Sequence, residues 1–232
     1  MTAAEMLDEL RPLGTESYKK VMRAYGVREP FFGVKIGDLQ KIRRRIKRDH
    51  QLALDLYGTG NYDAMYLAGL IAHDARMTRR DLGHWVEQAY CRPLAGTVVP
   101  QVAAGAPDGC ALALEWIESA EPLIASAGWA AAACVISVRD DAALPAAALL
   151  QRVRKRLFQE PDVVRYHMKG FVIAAGSFVP ELTEEALAVG TELGPVAVDM
   201  GGTSCQVPFA PDYIRKVQQR GAIGKKRSSA KC

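Results

Sequence analysis

The sequence predicts an all-α fold, an α-solenoid of antiparallel helix pairs, on three observations. Apolar residues recur at three- and four-residue spacing almost throughout, and strict apolar/polar alternation is scarce. The helices defined by this spacing fall into pairs with a period of about thirty to forty residues, opening near Asp63, Leu94, Ile124 and Val163. Three of the opening helices have an apolar, small-residue interior, at 64–70, 125–135 and 170–175. A helix apolar on most faces must lie between neighbours, and small residues let those neighbours close in. This is the pattern of HEAT-like repeats, which curve and bind on their concave face.

In chain order, Glu16–Tyr25 reads as one helix and Asp38–Asp49 as the next, with Leu39, Ile42 and Ile46 on a single stripe. Gln51–Tyr57 and Asp63–His73 follow. A further helix opens at Thr78, where Thr78 and Asp81 have capping-box spacing ahead of Leu82, Trp85 and Val86. Leu94–Ala104, Gly109–Ser119, Ile124–Val138, Leu144–Phe158, Val163–Phe178, Glu184–Leu193 and Pro211–Gln219 complete the set, joined by short connections rich in Pro, Gly or Asp. Met200-Gly201-Gly202-Thr203-Ser204-Cys205 is too glycine-rich for a helix and reads as a loop. Residues 1–195 are thus expected as the repeat domain, and 196–232 as a loop, a terminal helix and a basic tail that is mobile when free.

With 232 residues and 49% hydrophobic content, the chain can bury a core without disulfides or metals. Its five cysteines form no close pair and read as reduced thiols, with Cys110 and Cys134 in helical runs as core residues. Cys205 and Cys232 lie in less regular sequence and are either incidental or reactive. Met1–Leu10 carries Glu5, Asp8 and Glu9, which excludes a signal peptide or membrane span there and leads us to expect the cytoplasm.

Positive charge is concentrated in two segments. Lys35–Arg48 and Gln206–Cys232 each carry +6, whereas the long stretch 49–205 carries −8. Cationic edges on an acidic body point to a polyanion, double-stranded DNA in the first place. Lys35, Arg44, Lys47 and Arg48 are the candidate phosphate contacts of the first segment, the last three projecting from one face at helical spacing. Lys225, Lys226 and Arg227 are those of the tail. Arg165 and Lys169, one turn apart, form a further candidate clamp, away from the stripe of Val164, Met168, Phe171 and Ala175. Trp129 interrupts a run of small residues and reads either as core or as a stacking wall.

Common catalytic signatures are missing. Gly58-Thr59-Gly60 lacks the third glycine of a dinucleotide fingerprint, and Gly224-Lys225 has Lys226 where a phosphate loop needs Ser or Thr. His50, His73, His84 and His167 have no paired ligand spacing, so neither a metal nor a cofactor is expected.

Phe32-Gly33-Val34 followed by Leu39, Ile42 and Arg43, the segment Ala127-Gly128-Trp129 with its alanine-rich continuation, and Val163–Phe178 together resemble the AlkD family of DNA alkylation repair proteins. The resemblance runs from about Ser17 to Leu193. It implies a HEAT-like solenoid related to glycosylases that excise 3- and 7-alkylated purines without flipping the base out. There an Asp stabilises charge on the sugar, aromatic rings contact the deoxyribose and an Arg grips phosphate. Placed without gaps, the family's Trp–Asp pair falls on Arg92 and Gly96, its Arg on Ala132 and its second aromatic on Phe171. Trp129 and Phe171 become the implied pocket aromatics, and the family mechanism lacks its carboxylate. Either Asp63, Asp74 or Asp199 substitutes, or the chain does not excise bases. A solenoid scaffold that binds a protein partner through its concave face is the reading from another class.

Overall fold

The computed structural model describes residues 1–139, 144–199 and 207–231, and among these every regular element is helical. The first helices begin where short polar side chains satisfy the free amides of the opening turn. Thr2 and Glu5 form a capping box for α1 (Ala3–Leu10), Thr15 caps α2 (Glu16–Ala24), and Asp49 caps α4 (His50–Tyr57). Between them α3 spans Ile36–Ile46. Asn61 Oδ1 accepts from the Asp63 and Ala64 amides to start α5 (Tyr62–Ile71), and Thr78 and Asp81 form the expected capping box of α6 (Arg79–Gln88).

The run expected as one helix from Leu94 divides in two. Leu94–Val98 is a π-helical turn, with the Val99 amide on the Leu94 carbonyl, and α7 (Val99–Ala104) continues it. Pro100 supplies no amide to this stretch, which fits the wider register. Beyond it come α8 (Gly109–Ile117), α9 (Pro122–Val138), α10 (Ala146–Arg156), α11 (Asp162–Phe178), α12 (Thr183–Leu193) and α13 (Ala210–Gln219).

The helices form two layers. Successive inner helices α5, the π turn with α7, α9 and α11 pack on one another, while α4, α8 and α12 each pack on the inner helix beside them. Every residue of α5 is buried, as the small-residue pattern requires of an inner helix. Gly128 shows why: a Cβ there would lie 2.4 Å from the Ile117 amide nitrogen, so glycine lets α9 close on α8. Tyr57 stacks on Trp85 at 4.0 Å and donates its hydroxyl to the Trp85 carbonyl at 2.8 Å, tying α4 to α6.

Outer helices are linked by a ladder of polar pairs. Arg45 meets Glu9 at 2.6 Å, Arg79 meets Glu115, Arg152 meets Glu118, and Arg154 meets Glu192. Such exposed pairs add little stability individually. Their larger effect is to neutralise the cations of the outer layer.

The C-terminal tail departs from expectation, because residues 224–231 are docked rather than mobile. Each inner helix ends in carbonyls that lack an intrahelical donor. The tail supplies donors to three such ends. The Gly224 amide reaches the Ser177 carbonyl (2.9 Å), and Lys226 Nζ reaches the Phe178 and Ile136 carbonyls (2.9 and 2.8 Å). The Arg227 amide follows on the Ser137 carbonyl at 2.8 Å, and Lys231 Nζ reaches the Ala72 carbonyl at 2.8 Å. The tail therefore crosses the C-terminal ends of α11, α9 and α5 in turn, where ammonium groups also meet the negative pole of each helix. Lys231 completes the crossing with an ion pair to Asp74 at 2.5 Å.

Candidate nucleic-acid interface

At the opposite ends of the inner helices lies a cavity of about 350 Å³. The first turn of α5 gives it Tyr62 and Tyr66, the first turns of α11 give Tyr166 and His167, and α2 gives Tyr18 and Tyr25. Arg92, Pro93 and Thr97 enter from the π turn and its approach. The lining thus combines aromatic rings with one guanidinium, and among the described residues it holds no carboxylate.

Gly96 sits where His167 crosses it. A Cβ at this position would lie 2.3 Å from His167 Nε2 and 2.6 Å from Cε1, so the imidazole occupies the volume that a residue-96 side chain would need. Burial, helped by the positive charge of Arg92, holds the His167 pKa down at about 4, so the ring is neutral at physiological pH. Arg92 Nη1 and the Tyr62 hydroxyl are buried without a hydrogen-bond partner. Where the implied chemistry needs an anion, this site therefore presents a cation and a neutral imidazole.

None of the three candidate substitute acids lines the cavity, although Asp199 follows Val198, which does. Asp63 is buried beneath the Phe32-Gly33-Val34 turn: its Oδ2 accepts from the Phe32 and Gly33 amides (2.5 and 3.1 Å) and its Oδ1 from the Val34 amide (2.9 Å). Successive amides aimed at one anion form a nest, here filled by the protein's own carboxylate. Burial pushes the Asp63 pKa up, and the three amides oppose it. Asp74 is paired with Lys231, and Asp199 is exposed, its amide donating to Asp162 at 2.7 Å.

The predicted cations fall into different settings. Lys35 is exposed at the N-cap of α3, and Arg44 is exposed near that helix's end. The helix stops at Ile46 rather than Asp49, and Lys47 takes φ 66°, so Lys47 and Arg48 leave the expected helical face while staying exposed. Lys225 and Arg227 are exposed on the docked tail, whereas the Lys226 ammonium is spent on helix carbonyls. Arg165 is held by Asp162 and by the Glu160 carbonyl at 3.0 Å. Lys169 is only 4% exposed, and burial lowers its pKa.

Trp129 and Phe171 meet edge to face at 5.5 Å in the core; neither lines the cavity, and Ala132 is buried beside them. Cys205, Cys232 and the Gly201-Gly202 loop lie outside the described residues. Among the described residues no group of His, Cys, Asp or Glu could hold a metal ion.

The two basic segments, far apart in sequence, meet in space. Burial lowers the Lys231 pKa against the attraction of Asp74, and the nearby charges of Arg48 and Arg43 lower it further. The end of α3 thus lies near the end of the tail, where Lys231 is already paired with Asp74. Sequence reading missed this convergence and the Arg92–His167 pair. The placement of the family's acidic position on Gly96 marked the right locus for the second.

A two-layer helical solenoid with a cavity at the ends of its inner helices defines a HEAT-like repeat protein. The chain belongs to the DNA alkylation repair enzyme family, whose model matches residues 6–195. It is 33% identical over 228 residues to the uncharacterized protein Lin0241 of Listeria innocua, covering 95% of this chain and 99% of that protein. It is 32% identical to Lmo0209 of Listeria monocytogenes, with the same coverage. A solved structure with TM-score 0.88 and 32% identity matches the full length of both chains. It belongs to a family of proteins related to the HEAT-like repeat DNA glycosylases with affinity for branched DNA structures. No helix among the described residues is long and apolar enough to cross a membrane.

Proposed function

We propose that this protein binds DNA, branched DNA in preference to plain duplex, and does not excise bases. The observation that carries this reading is the contact of His167 with Gly96 beside Arg92, at a cavity whose lining holds no carboxylate among the described residues. An oxocarbenium-like transition state needs negative charge preorganised beside the sugar, usually the largest catalytic contribution. A guanidinium there repels the developing sugar cation, yet attracts phosphate. Affinity for branched DNA in the similar solved protein supports the same reading.

Lys35, Arg44, Lys47, Arg48, Lys225 and Arg227 are the cations we assign to phosphate, because their exposure leaves them available to a polyanion. Contacts of this kind position DNA without reading its sequence. Fluorescence anisotropy of a four-way junction and of a duplex at two salt concentrations tests the reading. For about six phosphate contacts, a fourfold rise in salt should weaken binding by roughly two-thousand-fold. Replacing Arg44, Lys47 and Arg48 together with alanine should flatten the salt slope by about three. Absence of DNA binding at low salt would favour the protein-scaffold reading.

Gly96→Asp is expected to leave the protein unable to release 7-methylguanine from methylated duplex above background, because the new carboxylate must displace His167 and would pair with Arg92. Base release under single-turnover conditions, with wild type alongside, is the measurement. Clear excision by the wild type would overturn the non-excising assignment.

A further inference from the structure

We infer that the tyrosine-lined cavity takes a single unpaired nucleotide from a DNA branch point, its base against the aromatic walls and its phosphate on Arg92. This rests on the DNA-binding reading above and adds a site to it. The cavity, about 350 Å³, is on the scale of one nucleotide. Its walls are the rings of Tyr18, Tyr25, Tyr66 and Tyr166, and aromatic faces stack on any base because every base has a π-face.

Two residues of this lining each carry a buried polar atom with no hydrogen-bond partner among the described residues: Arg92, at Nη1, and Tyr62, at its hydroxyl. A buried guanidinium donor without an acceptor is costly unless a ligand supplies one. With no carboxylate in the lining among the described residues, the guanidinium charge calls for an external anion. The first turns of α5 and α11 face the same space, which adds the positive poles of two helices.

The recess selects an unpaired nucleotide rather than a stacked one. The rings of Tyr18, Tyr25 and Tyr166 are half-buried in its walls, so a base must leave its duplex stack to lie between them. Branch points offer nucleotides that are already unpaired, where extrusion costs least.

The test compares a fully paired four-way junction with the same junction carrying one unpaired 2-aminopurine at the branch, and with free 2-aminopurine deoxynucleoside monophosphate. The unpaired junction should bind roughly tenfold tighter than the paired one. Its 2-aminopurine should become several-fold less accessible to acrylamide quenching on binding. Arg92→Gln and, separately, Tyr166→Leu should bring the affinity ratio towards one and restore quenching, with melting temperatures confirming that each variant folds. Equal affinity for the two junctions with unchanged quenching overturns the pocket assignment while leaving DNA binding intact. Binding of the free nucleotide as tightly as the unpaired junction overturns the branch-point source. Failure to bind either junction overturns both the pocket and the DNA reading.

Discussion

Truncation after Gly221 is expected to lower the melting temperature by roughly 10 °C or more, a large effect for removing a short, polar, basic segment. The segment leaves four helix-end carbonyls, at Ala72, Ile136, Ser137 and Phe178, without the donors they now have, together with that of Ser177. It also strips Asp74 of Lys231, and breaking a buried pair by removing one partner typically costs about 3–5 kcal/mol. Lys231→Met isolates that part and should account for a substantial share of the loss. Thermal melts of the three proteins decide the matter. A truncated protein that melts within a degree or two of the full chain would show that the tail adds nothing to the fold.

Asp63→Ala should be nearly as damaging. It leaves the amides of Phe32, Gly33 and Val34 without their acceptor, and each buried unsatisfied donor costs about 1–3 kcal/mol. A total near 3 kcal/mol corresponds to a melting-temperature fall of roughly 6–12 °C at this size. Asp63→Asn should be intermediate, since its amide keeps one acceptor oxygen but points two hydrogens at neighbouring N–H groups. Hydrogen exchange at residues 32–34 provides a local readout. Unchanged protection in Asp63→Ala would show that the turn holds without the carboxylate.

The Asp63 nest also shows what a sequence can disclose. Phe32-Gly33-Val34 carried the family resemblance, yet the reason for its form lies in a carboxylate on α5, a contact that local spacing does not encode. The inner helices were legible because burial on most faces demands small apolar residues throughout, as in α5 and α9. The N-terminal helix α1 escaped notice although Thr2 and Glu5 have capping-box spacing, because the apolar content of 1–10 was weighed only as a membrane or export signal. The docking of the tail left no trace in composition. Its partners are backbone carbonyls, which every residue possesses, so Lys226 and Lys231 read the same whether they meet phosphate or a helix end. Trp129 and Phe171 read alike as core or pocket for a related reason: aromatic identity is shared by both settings, and only their burial in the folded chain separates the two.

A stack of helix pairs whose contacts run only between neighbours behaves as an elastic coil, free to change its curvature by small rotations at each step. The tail alters those mechanics. Fastened to α11, α9 and α5 along one rim, residues 224–231 act as a bowstring, fixing the length of that rim and with it the arc of the whole coil. A coil strung in this way cannot widen or tighten to suit what lies against its other face. On the DNA-binding reading proposed above, the nucleic acid would then supply the bend itself, and deformable or interrupted helices would fit this surface more readily than a stiff, continuous rod.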